Sequence, residues 1–438
     1  MQSVTEIAET MKGLLTSTAE RLARETGFVQ RQSKLGGAAF AQATVLGWQQ
    51  HPDARLSQLA QAAAAAGVPL SPQGLDQRFS ESAATFLAAL LQSAVSVLIS
   101  TEPVALPVLA RFSAVVVEDS SVLSLPDSLA TVWRGCGDAI GQHLAALKIA
   151  LRLDLLTGTL QTLALEDGRV ADRSSVLQRT PLPPGGLRLA DLGYFALTRL
   201  RQIAEGQAFF LSRLQVQTAV FLPTGERLDL ARWLTQQAIP LIDQAIQIGV
   251  REHLEVRLLA VRVPQEVADQ RRRRLREEAR RRGQTVSAAT LALASWTLLI
   301  TNVPADRLSL NEALVLYRVR WQIELLFKLW KNWGQIDEWR TTKDWRILCE
   351  VYAKLIGIVL QHWLLISGCW RFPDRSLVKA VVTLHDHALL LLYALAGHFD
   401  LTTVLDLIQR ALATCPRMEH RAKHPATFQL LLELSDAA

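Results

Sequence analysis

The sequence changes character near residue 110. Residues 1 to about 105 are rich in alanine and leucine and show no alternating strand pattern, which predicts a helical region. The run SAVVVEDSSVLSLP that follows is apolar and β-branched up to its acidic residues, which is typical of a buried strand. A chain that passes from helices to strands in this way is constrained to an α/β architecture with helical flanks.

Further elements follow the first strand. The predicted elements, in chain order, are strands over 147–155 and 159–165, a strand LRLAD, a helix near 194–205, a strand AFFLSRL, strands VQTAVFL and VRLLAVRV around a helix near 229–248, an arginine-rich helix over 265–283, a strand TLLITN, an amphipathic helix over 309–332 and a helical region over 341–436. Strands followed by a strand–helix–strand unit indicate a mixed sheet.

Length and charge limit the class of protein. A chain of 438 residues predicts two to four domains, which we place at 1–105, 106–340 and 341–438. The net charge of +6 is mild, but residues 271–282 hold eight arginines and two glutamates, and this local surplus favours a polyanionic partner. Four cysteines without a CxxC pair indicate a reduced, intracellular protein without a thiolate zinc site.

The most apolar stretch predicts a buried helix. Residues 355–370 are 16 in number and include Gln361 and His362, whereas a membrane span needs about 20 apolar residues. The N-terminal residues are polar and do not resemble a signal peptide. We therefore expect a cytoplasmic protein with no membrane partner.

The segment LSQLAQAAAAAGVPLSPQGLDQRFS has the pattern of a helix-turn-helix. A first helix over 56–66 is followed by Gly67 as a C-cap candidate, and Ser71 before Pro72 is a helix N-cap pattern. The second helix is predicted to present three side chains to DNA: Gln73, Gln77 and Arg78. The alternative is that both helices belong to an ordinary bundle.

The amphipathic helix over 309–332 carries four polar side chains on one face. They fall within an arc of roughly 60° at helical spacing and are Tyr317, Arg320, Glu324 and Lys331. This face can place one carboxylate at a metal ion while the cations hold phosphate. The alternative is a solvated face with an i,i+4 link between Arg320 and Glu324.

This spacing, Y-x2-R-x3-E-x6-K, resembles the YREK signature of the DDE cut-and-paste transposases of bacterial insertion sequences. In that family the glutamate is the third acidic residue of a catalytic triad on an RNase H-like core, which points to Glu324 here. Residues 78–87, RFSESAATFL, are similar to the RF-x-E-x-A-A-x-F-L pattern that follows the family's helix-turn-helix.

Two further motifs resemble the aspartate contexts of that family. VVVEDSS matches the first strand with its catalytic aspartate at Asp119, and LRLADLGYFAL matches the second at Asp191. Glu118 is a rival to Asp119, but strand alternation points it to the opposite face. The alternative for either aspartate is a strand-end or N-cap residue.

The resemblance extends to a tryptophan and an insertion. Trp296 in ASWTLLITN matches a tryptophan that stacks on a flipped base, although a core position is the alternative. The family's insertion corresponds to about 214–290. Its arginines are candidates for phosphate contacts or a solvated charge run: Arg271, Arg272, Arg273, Arg274, Arg280, Arg281 and Arg282.

The resemblance therefore implies a fold and an activity. The fold class is α/β, an RNase H-like mixed sheet with a β-containing insertion, flanked by helical N- and C-terminal domains, the latter with a role in dimerisation. The activity is that of a DNA transposase that binds terminal inverted repeats of an insertion sequence, cleaves DNA at the ends and joins 3′-OH ends to target DNA by two-metal catalysis. The implied ligands of two Mg²⁺ or Mn²⁺ ions are Asp119, Asp191 and Glu324.

The resemblance also implies partners. They are double-stranded DNA, as terminal inverted repeats and as target, and a second copy of the chain in a synaptic homodimer, in a bacterial, nucleoid-associated setting. Tyr317, Arg320 and Lys331 are implied to hold phosphates at the transposon end. Two alternatives share the motifs: an RNase H-like nuclease without strand transfer, and a domesticated, non-catalytic DNA-binding protein.

Overall fold

A computed structural model describes residues 3–31, 34–138, 141–142, 144–418 and 425–436. The chain divides into two compact units. The helix-rich unit consists of Met1–Ala105, Ser120–Val170 and Gln322–Gln429, and the strand-rich unit consists of Leu106–Asp119, Ala171–Trp321 and Leu430–Ala438. The functional domains at 1–105, 106–340 and 341–438 stay a prediction, and residues 419–424 of the expected C-terminal helical region lie outside the described residues.

The secondary structure of the described residues is as follows. The strands are β1 (Val115–Leu125), β2 (Ala145–Asp154), β3 (Leu160–Asp167), β4 (Leu187–Ala190), β5 (Phe209–Arg213), β6 (Val220–Phe221), β7 (Arg227–Leu228), β8 (Leu241–Ile248), β9 (Leu254–Arg262) and β10 (Trp296–Thr301). The helices are α1 (Val4–Gly13), α2 (Ala19–Glu25), α3 (Gly37–Gln50), α4 (Leu56–Ala65), α5 (Pro72–Asp76), α6 (Glu81–Ser96), α7 (Pro107–Ala110), α8 (Leu197–Glu205), α9 (Leu230–Thr235), α10 (Gln265–Arg281), α11 (Ala288–Leu293), α12 (Leu310–Val319), α13 (Trp321–Asn332), α14 (Asp344–Cys369), α15 (Leu377–Asp386), α16 (Ala388–Leu395), α17 (Leu401–Ala413) and α18 (Thr427–Asp436).

The strand-rich unit is built on a mixed sheet with the strand order β1-β4-β5-β10-β9-β8-β6-β7. β1, β4 and β5 are parallel, with Glu118 paired with Ala190 and Leu187 with Phe209. The other neighbouring strands pair in antiparallel fashion. α8 connects β4 to β5, which confirms the predicted strand–helix–strand unit.

One face of this sheet supports an apolar core. Phe210, Leu258 and Ile300, on three neighbouring strands, pack with Leu200 and Ile203 of α8, and all five are almost fully buried. Each such side chain stabilises the fold by about 1.5–3 kcal/mol relative to an exposed position. This core fixes β5, β9 and β10 against α8 within the unit.

The helix-rich unit contains β2, β3 and the second half of β1, with the strand order β3-β2-β1. β2 and β3 form an antiparallel hairpin, with Ile149 paired with Leu165. Gly158 in its turn has a φ of +71°, and a side chain there would lie 2.7 Å from Ile366 and Trp370. Glycine is therefore required both by the backbone and by the packing.

α14 is the central helix of the helix-rich unit. By length and composition it could cross a membrane, as could α15 and α16 among the described residues if that bent pair counted as one span. The apolar window of α14 is entirely buried within the protein, which is the behaviour of a core helix. The prediction of a buried helix over 355–370 is confirmed.

β1 contributes residues 115–119 to the strand-rich unit, where the strand order is 1-4-5, and residues 120–125 to the helix-rich unit, where it is 3-2-1. An antiparallel hairpin followed by parallel strands in this order is the expected RNase H-like arrangement. β6 to β9, with α9 to α11, form the predicted β-containing insertion, and helices precede and follow the strands. The predicted fold class is therefore confirmed.

The helix expected near 229–248 is wrong. α9 covers only Leu230–Thr235, and residues 241–248 form strand β8. Pro240 has no amide hydrogen with which to continue a helix. Ile242, Ile246 and Ile248 are buried while Asp243 is exposed, which is the alternation of a strand.

The single helix expected over 309–332 is divided into α12 and α13. Ser309 and Glu312 form a capping box that begins α12. α12 ends at Val319 and α13 begins at Trp321, although Arg320 itself keeps right-handed helical angles. The division coincides with ion pairs that draw the Arg320 side chain towards two aspartates.

Candidate active site

The two aspartates singled out from the sequence belong to neighbouring parallel strands of the strand-rich unit: Asp119 lies within β1, which continues to Leu125, and Asp191 directly follows β4. Glu118 and Ala190 form the last pair between β1 and β4. Asp119 and Asp191 are the next residues after this pair, so the parallel register places both at the same level of the sheet and on the same face. Three valines precede Glu118 and Asp119 on β1, and leucines flank Arg188 on β4. Because these residues are apolar, both strands are buried up to the aspartates.

Arg320 lies between the two aspartates. Its Nη1 is 3.7 Å from Oδ2 of Asp119, and its Nη2 is 3.9 Å from Oδ1 of Asp191. Asp191 stands at the N-cap of a 3₁₀ turn, Leu192–Tyr194, but its side chain makes no capping hydrogen bond. The carboxylate therefore faces a cation rather than the helix end, which argues against a purely capping role.

Tyr317 completes this group of side chains. The guanidinium carbon of Arg320 lies 5.8 Å from the centre of its ring. Burial raises the pKa of Tyr317 to about 12, a shift that the charge of Arg320 opposes and that of Asp191 assists. The phenol is therefore protonated at neutral pH and can act as a hydrogen-bond donor.

Glu118 has a separate environment, as strand alternation predicts. Its Oε2 accepts a hydrogen bond of 2.6 Å from Nε of Arg188, and the side chains are 0% and 2% exposed, respectively. Nη2 of Arg188 also donates to Oε1 of Gln178 at 3.4 Å. Glu118 is thus part of a buried structural pair, whereas its neighbour Asp119 faces a partly open site.

Glu324 and Lys331 belong to the helix-rich unit, on α13. Glu324 is in the first turn of the helix and Lys331 in the last. Nζ of Lys331 donates to the carbonyl of Val122 at 3.3 Å and lies 3.9 Å from Oδ2 of Asp337. The four predicted face residues are therefore divided between two helices, with Tyr317 and Arg320 brought together with the aspartates in the strand-rich unit.

The chemistry of the aspartate pair fits a divalent cation. Two carboxylates already share one cationic partner, and carboxylate oxygens are the ligands that Mg²⁺ and Mn²⁺ prefer. Within the part of the chain that the structure describes, no group of three or more His, Cys, Asp or Glu side chains could hold a metal ion. Two of the three predicted ligands thus share a cationic partner in one unit.

Trp296 is a core residue in this structure. Its side chain is 6% exposed and belongs to the apolar core of the strand-rich unit. The guanidinium of Arg262 lies 4.8 Å from the centre of its ring. Stacking on a flipped base therefore requires this arginine to move away, and the base contact stays a prediction.

The arginines of α10 and its C-terminal end divide into two groups. Arg271 donates to the carbonyl of Trp296 at 3.0 Å, and Arg272 donates to the carbonyl of Leu291 at 3.1 Å and pairs with Asp269. The others are exposed, as a solvated or DNA-facing run would be: Arg273, Arg274, Arg280, Arg281 and Arg282. The first two arginines therefore anchor the helix to the strand-rich unit.

Arg213 is a cation that the sequence analysis did not single out. It is the last residue of β5, and its charge, after burial, lowers the pKa of Arg271. It also opposes the rise in the pKa of Tyr317. No sequence signal could have found it, because an arginine at the end of an ordinary strand belongs to no motif.

The helix-turn-helix segment is only partly as predicted. Gly67 has a φ of +85° and Ser71 caps α5 by accepting from the amide of Gly74, as expected. The second helix, however, ends at Asp76, so Gln77 is its C-cap and Arg78 lies beyond it. A helix that presents all three predicted side chains is therefore wrong.

The short helix is fixed within the helix-rich unit. Asp76, its last residue, pairs with Lys343 at 2.5 Å and with Arg346 at 3.4 Å. Gln73 and Gln77 are exposed, and the Arg78 guanidinium lies 4.8 Å from the centre of the Phe28 ring. These ion pairs hold the C-terminal end of α5 against the N-terminal end of α14.

Comparisons with known proteins agree with these features. A family model described as the transposase DDE domain matches residues 111–360. The transposase for insertion sequence element IS231B of Bacillus thuringiensis subsp. berliner is 27% identical over 97% of this chain and 94% of its own length. The transposase for IS1151 of Clostridium perfringens is 26% identical over 82% of this chain and 79% of its own.

Among solved structures, a chain of the piggyBac transposase synaptic complex with hairpin DNA aligns with all of this chain over 85% of its own length. The identity is 8% and the TM-score 0.46.

Proposed function

The chain belongs to the transposase DDE domain family, and from this membership we propose that it cleaves DNA at the terminal inverted repeats of an insertion sequence. In the proposed reaction the freed 3′-OH ends are then joined to target DNA. Relatives that cover nearly its full length are transposases of insertion sequence elements, which supports the same substrate for this chain.

The observation that carries the proposal is the convergence of Asp119 and Asp191. The parallel register of β1 and β4 places both at the same level of the sheet, and both face the Arg320 guanidinium. Carboxylates held at the same level on adjacent strands, and partly exposed to solvent, are suited to binding metal ions at a scissile phosphate.

We propose Asp119, Asp191 and Glu324 as the ligands of two Mg²⁺ or Mn²⁺ ions. Glu324 is included because of its place in the Y-x2-R-x3-E-x6-K signature. When bound, two such ions activate the attacking oxygen and stabilise the leaving oxygen of a phosphodiester. The protein's own contribution is to fix the carboxylates on a buried sheet and on a packed helix.

Arg320, Tyr317 and Lys331 are proposed to hold phosphates at the DNA end. Arg320 is engaged with two carboxylates here, so phosphate binding requires that it exchange those partners for phosphate oxygens. Tyr317 supports the same site as a neutral donor because its pKa is raised to about 12 by burial. Lys331 is one-third exposed and can reach an incoming strand.

Other DNA contacts follow from exposure and charge. The exposed arginines of the α10 region are proposed to contact phosphates, and the exposed Gln73 and Gln77 of the N-terminal segment are proposed to contact the inverted repeat. Arg78 is proposed to join them only after its guanidinium leaves the Phe28 ring. Arg271, Arg272 and Trp296 join this surface only after a rearrangement of their present contacts. We further propose a nucleoid-associated homodimer on paired ends.

The three domains expected from the sequence keep their proposed roles. Residues 1–105 bind the inverted repeat, residues 106–340 carry the catalytic site, and residues 341–438 contribute to the dimer.

A cleavage and strand-transfer assay tests the proposal. The wild-type chain is incubated with Mg²⁺ and DNA carrying the inverted-repeat ends that flank its gene, and Glu324→Gln is assayed in parallel. Glu205→Gln is the control, because Glu205 is an exposed carboxylate that pairs with Arg201. We expect cutting and joining by wild type and control, and neither by Glu324→Gln. Cutting without joining would indicate a nuclease, and tight binding without cutting in Mg²⁺ or Mn²⁺ would contradict the enzymatic role.

A further inference from the structure

Behind the two aspartates lies a buried polar network that no motif in the sequence announces. It consists of the side chains of Glu118, Arg188 and Gln178 and the main-chain carbonyl of Tyr194. All four residues belong to the strand-rich unit, and each of the three side chains is less than one-tenth exposed. We propose that this network is a positioning device that sets the relative placement of the Asp119 and Asp191 carboxylates for metal binding.

The contacts form one continuous chain. Nε of Arg188 donates to Oε2 of Glu118 at 2.6 Å, and its Nη2 donates to Oε1 of Gln178 at 3.4 Å. Nε2 of Gln178 then donates to the carbonyl of Tyr194 at 2.9 Å. Both ends of the Gln178 amide are therefore used, with the guanidinium on one side and the backbone on the other.

The two ends of this chain adjoin the two aspartates. Glu118 immediately precedes Asp119 on β1, and Tyr194 closes the 3₁₀ turn that Asp191 begins. The turn has a further close support, because a side chain on Gly193 would lie 2.6 Å from Oδ2 of Asp172. A shift of the turn therefore requires a shift of the buried network, and the network is tied to β1.

Strand geometry separates the network from the aspartates. Arg188 is in register with Val116 and Ala190 with Glu118, so Glu118 and Arg188 share one face of the parallel pair. Alternation directs Asp119, the residue after Glu118, to the other face. The network thus supports the site from behind and leaves the carboxylates free to face a cation.

The chemistry of the pair favours orientation over stability. A buried ion pair adds little net stability relative to apolar side chains of the same volume, because both charges lose their hydration. It does fix direction, since a planar guanidinium holds two acceptors at set angles. Hydrogen-bonded groups behind a metal ligand commonly tune metal affinity by about 10- to 100-fold.

This inference rests on the proposed function, because it presumes that Asp119 and Asp191 bind a divalent ion. Gln178 has a matched control in the other unit. Nε2 of Gln42 is likewise buried and donates to a main-chain carbonyl, that of Leu15, at 3.0 Å. Gln178→Met and Gln42→Met therefore each remove an amide-to-carbonyl hydrogen bond with nearly the same change of shape, and Gln178→Met also removes the bond from Arg188.

The experiment is a titration of the full chain with Mn²⁺, followed by the electron paramagnetic resonance signal of the free ion, with urea unfolding in parallel. We expect Gln178→Met to raise the dissociation constant for Mn²⁺ about tenfold, and Gln42→Met to leave it within about twofold at a comparable loss of stability. Equal Mn²⁺ affinities in the two variants would overturn the proposal, because Gln178 would then be only a buried amide.

Two further variants keep the test decisive. Arg188→Lys retains the buried positive charge but cannot bond Glu118 and Gln178 in the same geometry, so it should weaken Mn²⁺ binding in the same direction if Gln178→Met does not fold. Unchanged affinity in a folded Arg188→Lys variant would then overturn the proposal. Asp119→Asn reports on the premise: Mn²⁺ binding that survives it would show that the proposed metal site itself has failed, and the inference with it.

Discussion

Neighbouring carboxylates on the two faces of the β1–β4 pair have opposite environments. Glu118 forms a 2.6 Å ion pair with Arg188 that is closed to solvent. Asp119, the next residue, lies 3.7 Å from Arg320 with about one-fifth of its side chain exposed. The side chain of Asp191 is more exposed, at 46%, and lies 3.9 Å from Arg320.

The difference shows that consecutive residues of one strand can hold a structural carboxylate and an exchangeable carboxylate. In the closed pair, Glu118 and Arg188 satisfy each other's charge through a 2.6 Å hydrogen bond, and neither side chain is accessible to a ligand from solvent. In the open group, the longer distances leave carboxylate oxygens accessible and exchangeable. A catalytic carboxylate needs this second environment, because it must accept a metal ion or a new partner during the reaction.

The largest effect is expected at the open face. Asp119→Asn and Asp191→Asn should each lower DNA cleavage at least about a thousandfold, because loss of a metal ligand removes several kcal/mol of transition-state stabilisation. Stability towards urea should change by less than about 1 kcal/mol for Asp191→Asn, because that side chain is 46% exposed, and by more for Asp119→Asn, whose side chain is mostly buried. Cleavage rates and unfolding curves of the same preparations check both numbers, and retained cleavage would break the comparison.

Substitutions on the closed face should lower the stability of the fold. Glu118→Gln leaves the buried Arg188 charge without its counter-ion, which should destabilise the fold by roughly 3–5 kcal/mol. The double variant Glu118→Leu/Arg188→Met removes both charges of the pair and should be less destabilised than the single variant. Urea unfolding measures both, and a single variant as stable as the wild type would show that the pair is not the closed structural contact described.

Arg320 tests whether the open contacts are exchangeable. Arg320→Gln should strengthen Mn²⁺ binding to the DNA-free chain by up to about fivefold, because the guanidinium no longer competes for the two carboxylates. Its affinity for DNA should fall, since a phosphate contact is lost. Titration with Mn²⁺ and with end DNA separates the two effects. Weaker Mn²⁺ binding would mean that Arg320 supports the carboxylates rather than competing with an ion.

The smallest effect concerns pH at Tyr317. Because burial raises the pKa of this phenol to about 12, it remains a neutral donor well above the usual value of 10. Tyr317→Phe should therefore weaken DNA binding by the same factor at pH 7 and pH 10, about two- to fivefold for one lost hydrogen bond. A mutational effect that disappears at pH 10 would show that the phenol ionises there.

Much of the open face could be predicted from the sequence. A valine run followed by acidic residues predicts a buried strand that carries a carboxylate, and the same interpretation applies to LRLAD, which ends in Asp191. The spacing of Tyr317 and Arg320 predicts that both lie on one helix face, although the end of α12 at Val319 was not predicted. The transposase resemblance supplied the order in which these pieces meet.

Other features depend on tertiary structure. Gln178 lies in a short 3₁₀ turn without periodicity, and its carbonyl partner is sixteen residues away, so no local pattern marks it. Residues 241–248 combine three isoleucines with one alanine and two glutamines, a mixture that does not separate helix from strand, and pairing with β9 makes them a strand. The inward turn of Arg78 likewise depends on Phe28, a residue distant in sequence.

The central claim is that Asp119 and Asp191 are ligands of the catalytic metal. Fe²⁺ bound in place of Mg²⁺ generates hydroxyl radicals with ascorbate and peroxide, and these cut the backbone next to the ion. Mass spectrometry of the fragments should locate cuts at residues 118–120, 190–192 and around Glu324, suppressed by excess Mg²⁺ and absent from Asp119→Asn. Cuts elsewhere, or cuts that persist in Asp119→Asn, would contradict the account.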